Sequence, residues 1–441
     1  MKSLFRKFIA AALIMVMAVV FMPVLKADTA YAETYNPDKY TPGPNLAVSK
    51  FQSKFKVDVS YLKTSDGMDQ RVLAIKKSKS LWDVTRNKKI TSYVKDMVSL
   101  ENEGSEPGVL VLKTSGNLYY MWKKSTGSWG SKKLLSDVKE FADEPVRVSY
   151  TSGTSCKYFV YLVKKDGRFM KGTVLTNSKG TKVKKSSWIK LLGGVNHGYV
   201  CYGYDSDYNT TRCLWAIKKD GSLYAWGSNS QGETGNGKTK KVSDPRLVMK
   251  NVKQFCWSNR AGQTYGTACY AVKENGDLYA WGCSDALPAD ILTGTDTFIK
   301  PIKIMTNVRM VDGNSWNTNV IALTKDGILW TWGHEAGKTA YNYYDNITKV
   351  SDKVIAAESD GSAILFIKKN NTLWYLGFPP GESYKKCTKT PIRIAYNATA
   401  VNSPEYMGTY VLKTDGDMYG TDYYYKKQYK KLHKMGTGYP N

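Results

Sequence analysis

The 441-residue sequence has few of the side chains from which metal and catalytic centres are usually built. Its three histidines, His197, His334 and His433, are far apart and lack the H-E-x-x-H spacing of zinc hydrolases. No C-x-x-C pair and no G-x-S-x-G elbow occurs, so the usual zinc, redox and serine-hydrolase patterns are absent. The sequence therefore predicts no catalytic residue, no metal ligand and no cofactor.

Acidic residues are also scarce, because 38 aspartates and glutamates face 64 lysines and arginines, which gives a formal charge of +26. Such a positive field attracts polyanions. The same lysines could instead keep a strand-rich protein soluble and protect exposed strand edges. Composition alone leaves both interpretations open.

The seven cysteines are an odd number, so at least one is free or pairs with another molecule. If disulfides form, the pairs that flank one predicted loop each are Cys201 with Cys213 and Cys256 with Cys269. We favour buried free thiols, because a chain of this length can bury a large core without cross-links.

One long apolar stretch occurs, from Phe8 to Leu25, between a basic N-terminus and the small-residue site Ala30-Tyr31-Ala32. This order predicts an export signal that is cleaved after Ala32. No later segment is apolar enough to span a bilayer, so no membrane span is expected after cleavage. We expect a signal peptide at 1–32, a Pro-rich lead-in at 33–45, a folded domain at 46–436 and a short tail at 437–441. The protein would then be secreted, or attached to the cell wall, by a Gram-positive-type bacterium.

A hairpin-like unit recurs along the rest of the chain. Its clearest copies lie at 214–227, 270–282 and 321–333, each with an apolar run, an Asp-Gly or Asn-Gly turn, and an aromatic run that ends in Trp-Gly. Weaker copies turn at Ser78-Lys79, Ser115-Gly116, Asp166-Gly167, Asn370-Asn371 and Asp415-Gly416. Successive turns are 37 to 55 residues apart, which suits a four-stranded propeller blade.

Further apolar stretches precede and follow each hairpin, so each unit has four strands. No amphipathic helix separates them, which excludes a parallel α/β sheet. The prediction is an all-β fold, a β-propeller of seven or eight four-stranded blades. Gly221 and Gly276 are expected at positive φ in two-residue turns.

The segment 223–237, LYAWGSNSQGETGNG, resembles the repeat of the regulator of chromosome condensation family. The resemblance implies a propeller, usually with seven blades. The eukaryotic founder promotes nucleotide exchange on a nuclear GTPase, a role that does not fit an exported chain, so neither nucleotide nor intracellular nucleic acid is expected as a partner. The chain is more similar to secreted bacterial propellers of this family, one of which inhibits β-lactamases by covering their active-site entrance.

Two ligand-site patterns are rejected on context. Residues 232–239, GETGNGKT, satisfy the phosphate-loop pattern, but the segment that follows does not read as a helix and the glycines belong to the repeat. Residues 205–209, DSDYN, resemble the start of a calcium loop but lack its later glycine and glutamate.

Aromatic residues of the repeat recur at fixed positions, which favours packing between blades over sugar stacking. They are Tyr224, Trp226, Tyr279, Trp281, Trp330, Trp332 and Trp374.

Loops that join the first to the second strand of a blade, and the third to the fourth, emerge on one face, because successive strands are antiparallel. The candidate binding residues on that face are Tyr204, Asp207, Tyr208, Trp257, Arg260, Tyr265, Asn314, Trp316 and Tyr406. The candidate polyanion-binding lysines are Lys184, Lys185, Lys238, Lys240, Lys241, Lys385 and Lys386.

Aromatic, arginine and amide side chains are typical of protein-binding surfaces. The sequence thus predicts a non-catalytic module that binds an extracellular protein and is able to inhibit an enzyme. The alternatives are an adhesin for an anionic cell-wall polymer and a propeller hydrolase with an unrecognised site.

Overall fold

The computed structural model describes residues 56–64, 67–100, 108–151, 155–204, 210–259, 267–283, 287–288, 297–313, 319–334, 343–359, 363–377, 388–403, 409–421 and 432–439. Within these ranges the chain forms 32 β-strands and no helix. The predicted signal peptide and the lead-in lie outside the described residues.

The strands form eight consecutive four-stranded blades. Blade 1 contains β1 (Val57–Thr64), β2 (Gly67–Ile75), β3 (Leu81–Asp83) and β4 (Lys88–Thr91), and blade 2 contains β5 (Val94–Ser99), β6 (Val109–Lys113), β7 (Leu118–Lys123) and β8 (Trp129–Leu135). Blade 3 contains β9 (Val138–Thr151), β10 (Ser155–Lys164), β11 (Phe169–Asn177) and β12 (Val183–Leu192), and blade 4 contains β13 (Val195–Tyr204), β14 (Thr210–Lys218), β15 (Leu223–Gly227) and β16 (Val242–Met249).

Blade 5 contains β17 (Val252–Asn259), β18 (Thr267–Lys273), β19 (Leu278–Cys283) and β20 (Thr297–Met305), and blade 6 contains β21 (Val308–Gly313), β22 (Val320–Thr324), β23 (Leu329–His334) and β24 (Tyr343–Ser351). Blade 7 contains β25 (Val354–Ser359), β26 (Ala363–Lys368), β27 (Leu373–Gly377) and β28 (Thr388–Ala395), and blade 8 contains β29 (Ala398–Asn402), β30 (Tyr410–Lys413), β31 (Met418–Gly420) and β32 (His433–Gly436).

Each blade is an antiparallel meander in which every strand pairs with the next. A single parallel bridge between Asp143 of β9 and Tyr199 of β13 links blades 3 and 4 into one sheet. The all-β propeller prediction is confirmed, and the choice between seven and eight blades resolves to eight.

The hairpin turns differ in one detail from the sequence prediction. In blade 4 the amide of Gly221 donates to the carbonyl of Lys218, and the amide of Lys218 donates to the carbonyl of Ser222. The turn therefore has three residues, with a type I turn followed by one left-handed residue, and not the predicted two. The expected positive φ is confirmed at Gly221 (76°) and Gly276 (96°).

A second glycine of the repeat ends the third strand. Gly227 and Gly282 have φ of 113° and 102°. A Cβ at these positions would lie 2.3 Å from the carbonyl oxygen of Arg212 and 2.2 Å from that of Thr267. The glycine of the Trp-Gly signature is therefore required, because any side chain at this position would collide with the backbone of the second strand.

The aromatic residues of the repeat fall into two groups by burial. Trp226, Trp281, Trp330 and Trp332 are at most 6% exposed and pack in the clusters between blades, as predicted. Tyr224 and Tyr279 are half-buried beneath the lysines that end the second strands, with the ammonium nitrogens 4.3 and 4.9 Å from the ring centroids. The same lysine-to-ring spacing recurs for Lys76 with Trp82, Lys368 with Trp374, and Lys413 with Tyr419.

Two-residue linkers join the blades, and backbone hydrogen bonds connect each of these junctions to the tight turns beside it. Between blades 3 and 4, for example, the amide of Lys219 donates to the carbonyl of Gly194, and between blades 4 and 5 the amide of Val252 donates to the carbonyl of Gly221. The second linker residue has a positive φ, as at Gly194 (72°) and Asn251 (60°). The tight turn of blade 4 is thus hydrogen-bonded to the junctions on both of its sides.

Gly438 and Tyr439 join blade 8 to blade 1, where no two-residue linker occurs. The amide of Lys77 donates to the carbonyl of Gly438 at 2.9 Å, and the amide of Tyr439 donates to the carbonyl of Gly416 at 3.1 Å. The Tyr439 side chain is 2% exposed and packs with apolar residues of both blades, including Val72 and Tyr410. The segment expected to be a short tail therefore contains the ring closure.

Candidate functional site

The two faces of the ring are built from different kinds of connection. One, the turn face, carries the three-residue turns and the two-residue linkers. The other, the loop face, carries every connection from first to second strand and from third to fourth, of which 228–241 in blade 4 is the longest that is described throughout. Only the loop face therefore has connections that vary in length from blade to blade.

Most of the predicted binding residues fall on connections of the loop face that lie outside the described residues. They are Asp207, Tyr208, Arg260, Tyr265, Asn314, Trp316 and Tyr406. Tyr204 is the last residue of β13, where the chain enters the first loop of blade 4. Its backbone position agrees with the predicted face, and the binding role of all these residues stays a prediction.

Trp257 does not lie on a loop, and its predicted exposure is wrong. Strand β17 continues to Asn259 and pairs with β18, so that Trp257 lies opposite Cys269. The indole is 4% exposed and packs with Phe255, Trp215 and Trp281 between blades 4 and 5. Because Phe255 and Trp257 are two residues apart on one strand, both point to the same buried side of the sheet.

The predicted lysine group is divided between two surfaces. Lys238, Lys240 and Lys241 are exposed on the third-to-fourth loop of blade 4, as predicted. Lys184 and Lys185 are exposed on β12, the outermost strand of blade 3, and not on a loop. Lys385 and Lys386 lie outside the described residues.

The blade 4 loop, residues 228–241, is held by buried polar groups. The Asn229 side chain is 1% exposed, and its Nδ2 donates to the carbonyls of Lys238 (2.7 Å) and Lys240 (3.1 Å). Its Oδ1 accepts a hydrogen bond from the amide of Thr234 at 2.8 Å. These bonds fix the loop in one conformation and leave the side chains of Lys240 and Lys241 at the surface.

Two tryptophans anchor the same loop from below. The indole Nε1 groups of Trp215 and Trp281 donate to the carbonyl of Glu233 at 3.2 and 3.0 Å. Burial raises the pKa of the Glu233 side chain, whose carboxylate accepts from the amide of Gln231 at 2.9 Å. The loop is therefore part of the contact between blades 4 and 5.

This arrangement explains the phosphate-loop pattern at 232–239 without a phosphate. Strand β16, and not a helix, follows the loop, so no helix N-terminus faces the glycines. A Cβ at Gly235 would lie 2.9 Å from Nε1 of Trp281, and one at Gly232 would lie 2.9 Å from Cα of Ile299. These glycines are required for packing, which accounts for the pattern at 232–239.

The innermost strands carry polar side chains that the sequence analysis did not single out. The amide of Ser359 donates to Oδ2 of Asp312 at 3.1 Å, and the amide of Ser403 donates to Oε1 of Glu358 at 3.0 Å. The Gln254 amide bonds to both backbone groups of Val311, at 2.8 and 3.2 Å. In each case a side chain of one blade binds the backbone of the next, so these groups hold the ring together.

Charge accumulates where these strands meet around the ring axis. Burial raises the pKa of Asp312 to about 6, and the negative charge of Asp143 adds to this rise. Burial also raises the pKa of Glu140, but hydrogen bonds and charges from His197 and Lys139 bring it below its ordinary value. The Nδ1 of His197 lies 2.8 Å from Oε1 of Glu140. These polar residues follow the first valine of the innermost strand by two positions, as in Val195 to His197, or by four, as in Val308 to Asp312. This spacing is the signal that could have identified them.

The six cysteines in the described part of the chain are buried, as favoured from the sequence. Cys213, Cys256 and Cys269 form no disulfide, so neither of the two pairings considered from the sequence occurs. Cys201 lies opposite Cys213, but Cys256 lies opposite Tyr270 and not Cys269. Burial raises the pKa of Cys213, Cys256 and Cys269 well above that of a free thiol, which makes them poor nucleophiles. Cys387 lies outside the described residues.

No group of three or more His, Cys, Asp or Glu side chains in the described ranges is placed to hold a metal ion. No helix in the same ranges is long and apolar enough to cross a membrane.

Eight meander blades, linker-tied turns and one loop-bearing face define the chain as a closed repeat propeller with the architecture of a binding module. Residues 220–267 match the model of the regulator of chromosome condensation (RCC1) repeat. This segment is therefore an RCC1 repeat, which confirms the predicted resemblance to the repeat family. The similarity to secreted bacterial propellers of the family stays a prediction.

Relatives among characterised proteins share only part of their length with this chain. Human E3 ubiquitin-protein ligase HERC2 is 28% identical over 123 residues, which are 27% of this chain and 2% of that protein. Human Protein RCC2 is 31% identical over 91 residues, 21% of this chain and 17% of that protein. Protein RCC1 of Candida albicans is 26% identical over 145 residues, 30% of this chain and 29% of that protein.

Solved structures with a similar fold include human WBSCR16, which is 14% identical, with 71% of this chain and 85% of that chain covered and a TM-score of 0.45. Yeast RCC1 (Prp20), solved in a structure with Kap60, is 13% identical, with 89% and 93% covered and a TM-score of 0.45.

Proposed function

We propose that the protein is an exported, non-catalytic propeller that binds a partner protein through its loop face. The observation that carries this proposal is the division of connections between the two faces. Turns and linkers on the turn face bond to one another, whereas the loop face holds the connections that vary in length. In rigid scaffolds such connections commonly carry recognition.

The blade 4 loop supports this role because it is already ordered. Hydrogen bonds to Asn229 and Glu233 fix its backbone, so a partner would bind without first ordering this segment. The exposed Lys240 and Lys241 add positive charge, which favours an acidic partner surface. Tyr208, Arg260, Tyr265 and Trp316 would supply the aromatic and arginine contacts that dominate protein interfaces.

An inhibitory role follows the same geometry, since a broad propeller face laid over an enzyme's active-site entrance would exclude its substrate. This role, like the identity of the extracellular partner, is part of the proposal.

A binding titration tests the proposed face. The protein, trimmed after Ala32, is used as bait to isolate a partner from the culture medium, and the affinity for that partner is then measured. The double variant Lys240→Glu, Lys241→Glu should bind at least tenfold more weakly. The matched control is Lys132→Glu, Lys133→Glu, which makes the same charge change on an outermost strand and should bind like wild type. Equal losses in the two variants would show that net charge, and not the loop face, governs binding.

Export is tested separately. Intact mass of the protein recovered from the medium should correspond to a chain that begins at Glu33. Protein that stays wholly in the membrane would contradict the export prediction without bearing on the binding face.

A further inference from the structure

We propose that the outermost strands of blades 1 to 3 form a second binding surface, for a linear polymer of phosphate groups. This surface, called the basic wall, consists of Lys88, Lys89, Lys132, Lys133, Lys184, Lys185 and Lys190. All seven lysines are exposed, and they lie on β4, β8 and β12. None of these three strands contains an aspartate or a glutamate.

The basic wall spans three consecutive blades. On blade 4, Arg246 of β16 is accompanied by Asp244 on the same strand. On blade 8, Lys434 of β32 forms a salt bridge with Asp417. The cations of β20 in blade 5 include Lys303, which pairs with Asp277 at 3.8 Å. A polymer that follows blades 1 to 3 would meet seven exposed lysines on strands that contain no acidic residue.

Protection of strand edges does not account for this arrangement by itself. A single proline interrupts the outermost strands of blades 4, 5 and 7, namely Pro245, Pro301 and Pro391, and one proline on an edge strand removes a donor that another chain could pair with. β20 and β28 carry two cations each beside their prolines, and each of β4, β8 and β12 carries two or three lysines and no proline. Edge protection accounts for a cation on each strand, but it does not require the outermost strands of three consecutive blades to lack acidic residues.

The three blades hold these charges in fixed relative positions. Arg71 of blade 1 is fully buried and lies 5.8 Å from the ring centroid of Trp129, the first residue of β8 in blade 2. The hydroxyl of Tyr120 in blade 2 donates to the carbonyl of Gly180 in blade 3 at 2.7 Å. The scaffold therefore does not need to rearrange when the polymer binds.

Lysine, and not arginine, is the cation on all three strands, which indicates how the ligand would be recognised. Lysine acts as a flexible point charge, whereas arginine favours planar bidentate contacts. Rows of lysines therefore suit a flexible chain of regularly spaced anions that is bound by charge density. Binding releases counterions from such a chain, so its affinity falls steeply as salt rises. On a plot of log affinity against log salt concentration, the slope is about −0.7 for each phosphate contact, as on single-stranded nucleic acid.

Inorganic polyphosphate of defined length is the probe, titrated at 50 and 200 mM salt. Wild type should bind at low salt and lose about 10³-fold in affinity at the higher salt if all seven lysines take part. The variant Lys132→Glu, Lys133→Glu should bind at least tenfold more weakly, with a slope shallower by about 1.4. Since glutamate keeps the strand edge charged, this variant should melt like wild type.

The control is Lys240→Glu, Lys241→Glu, which makes the same charge change on the loop face and should lower polyphosphate affinity less than threefold. Equal losses in the two variants would overturn the basic wall and leave only the overall charge of the protein. Absence of polyphosphate binding at 50 mM salt would overturn the proposal outright, as would binding of poly-glutamate of matched length with none of polyphosphate. Because the two variants exchange roles between this test and that of the loop face, either proposal can fail alone.

Discussion

Removal of the Tyr439 side chain should open the ring at one defined place. Seven of the eight junctions between blades are covalent linkers, whereas the junction of blades 8 and 1 depends on Gly438 and Tyr439. Tyr439 is 2% exposed, and Nζ of Lys76 lies 5.5 Å from its ring centroid. Tyr439→Ala loses a buried aromatic, at about 3–5 kcal/mol, and a cation–π contact of about 0.5–1 kcal/mol. We expect a total near 4 kcal/mol.

Hydrogen exchange is the informative assay, because it locates the opening. Amides of β1, β2 and β29 to β31 should exchange faster in Tyr439→Ala, while those of blades 3 to 6 keep their protection. The control is Tyr270→Ala, at a fully buried tyrosine that packs on Trp332 across the linked junction of blades 5 and 6. It should lose similar stability without exposing blades 1 and 8. Exchange that rises equally around the ring in Tyr439→Ala would refute the closure.

Three further predictions follow from single residues. Gly227→Ala should lower the free energy of unfolding by about 3 kcal/mol or more, because the new Cβ would lie 2.3 Å from a carbonyl oxygen. Gly221→Ala should lower it by only about 1 kcal/mol, because the nearest atom lies 3.4 Å from the new Cβ. Denaturation curves that show similar losses of stability for the two variants would be inconsistent with this difference. Trp257→Ala should lower the free energy of unfolding by about 3–5 kcal/mol, because the indole is buried. An unchanged melting temperature would contradict this burial. Since the folded pKa of Asp312 is about 6 and the ordinary value is 3.8, its carboxylate destabilises the fold above pH 6 and this cost disappears as the pH falls to about 4. Asp312→Asn should therefore be more stable than wild type at pH 7, by at most about 3 kcal/mol, and equally stable at pH 4. The same difference in stability at pH 7 and pH 4 would contradict the raised pKa of Asp312.

The hairpins could be predicted because their signals are local. A left-handed turn residue needs glycine or asparagine in most copies, and all eight predicted positions, from Lys79 to Gly416, have positive φ. Turn spacing then gave the blade length. Even Lys79, at φ 59°, was located by its place in the repeat and not by its residue type.

Features that depend on contacts between blades could not be predicted in the same way. The apolar run that ends at Cys256 predicts a loop at Trp257, but pairing with β18 extends β17 by three residues. Lys184 and Lys185 are predicted on a third-to-fourth loop, whereas they lie on an outermost strand, which has one unpaired edge and accepts lysines. The role of Tyr439 could not be predicted from the sequence, because it depends on contacts with both blade 8 and blade 1, which are far apart along the chain.

The loop face as the site of partner binding is the central claim, and site-directed photo-crosslinking tests it most directly. A crosslinking side chain is placed at Lys240 on the loop face or at Lys219 on the turn face, both exposed on blade 4. The account predicts a covalent adduct with the partner from position 240 and none from position 219. An adduct from position 219 alone, or equal adducts from both, would contradict it.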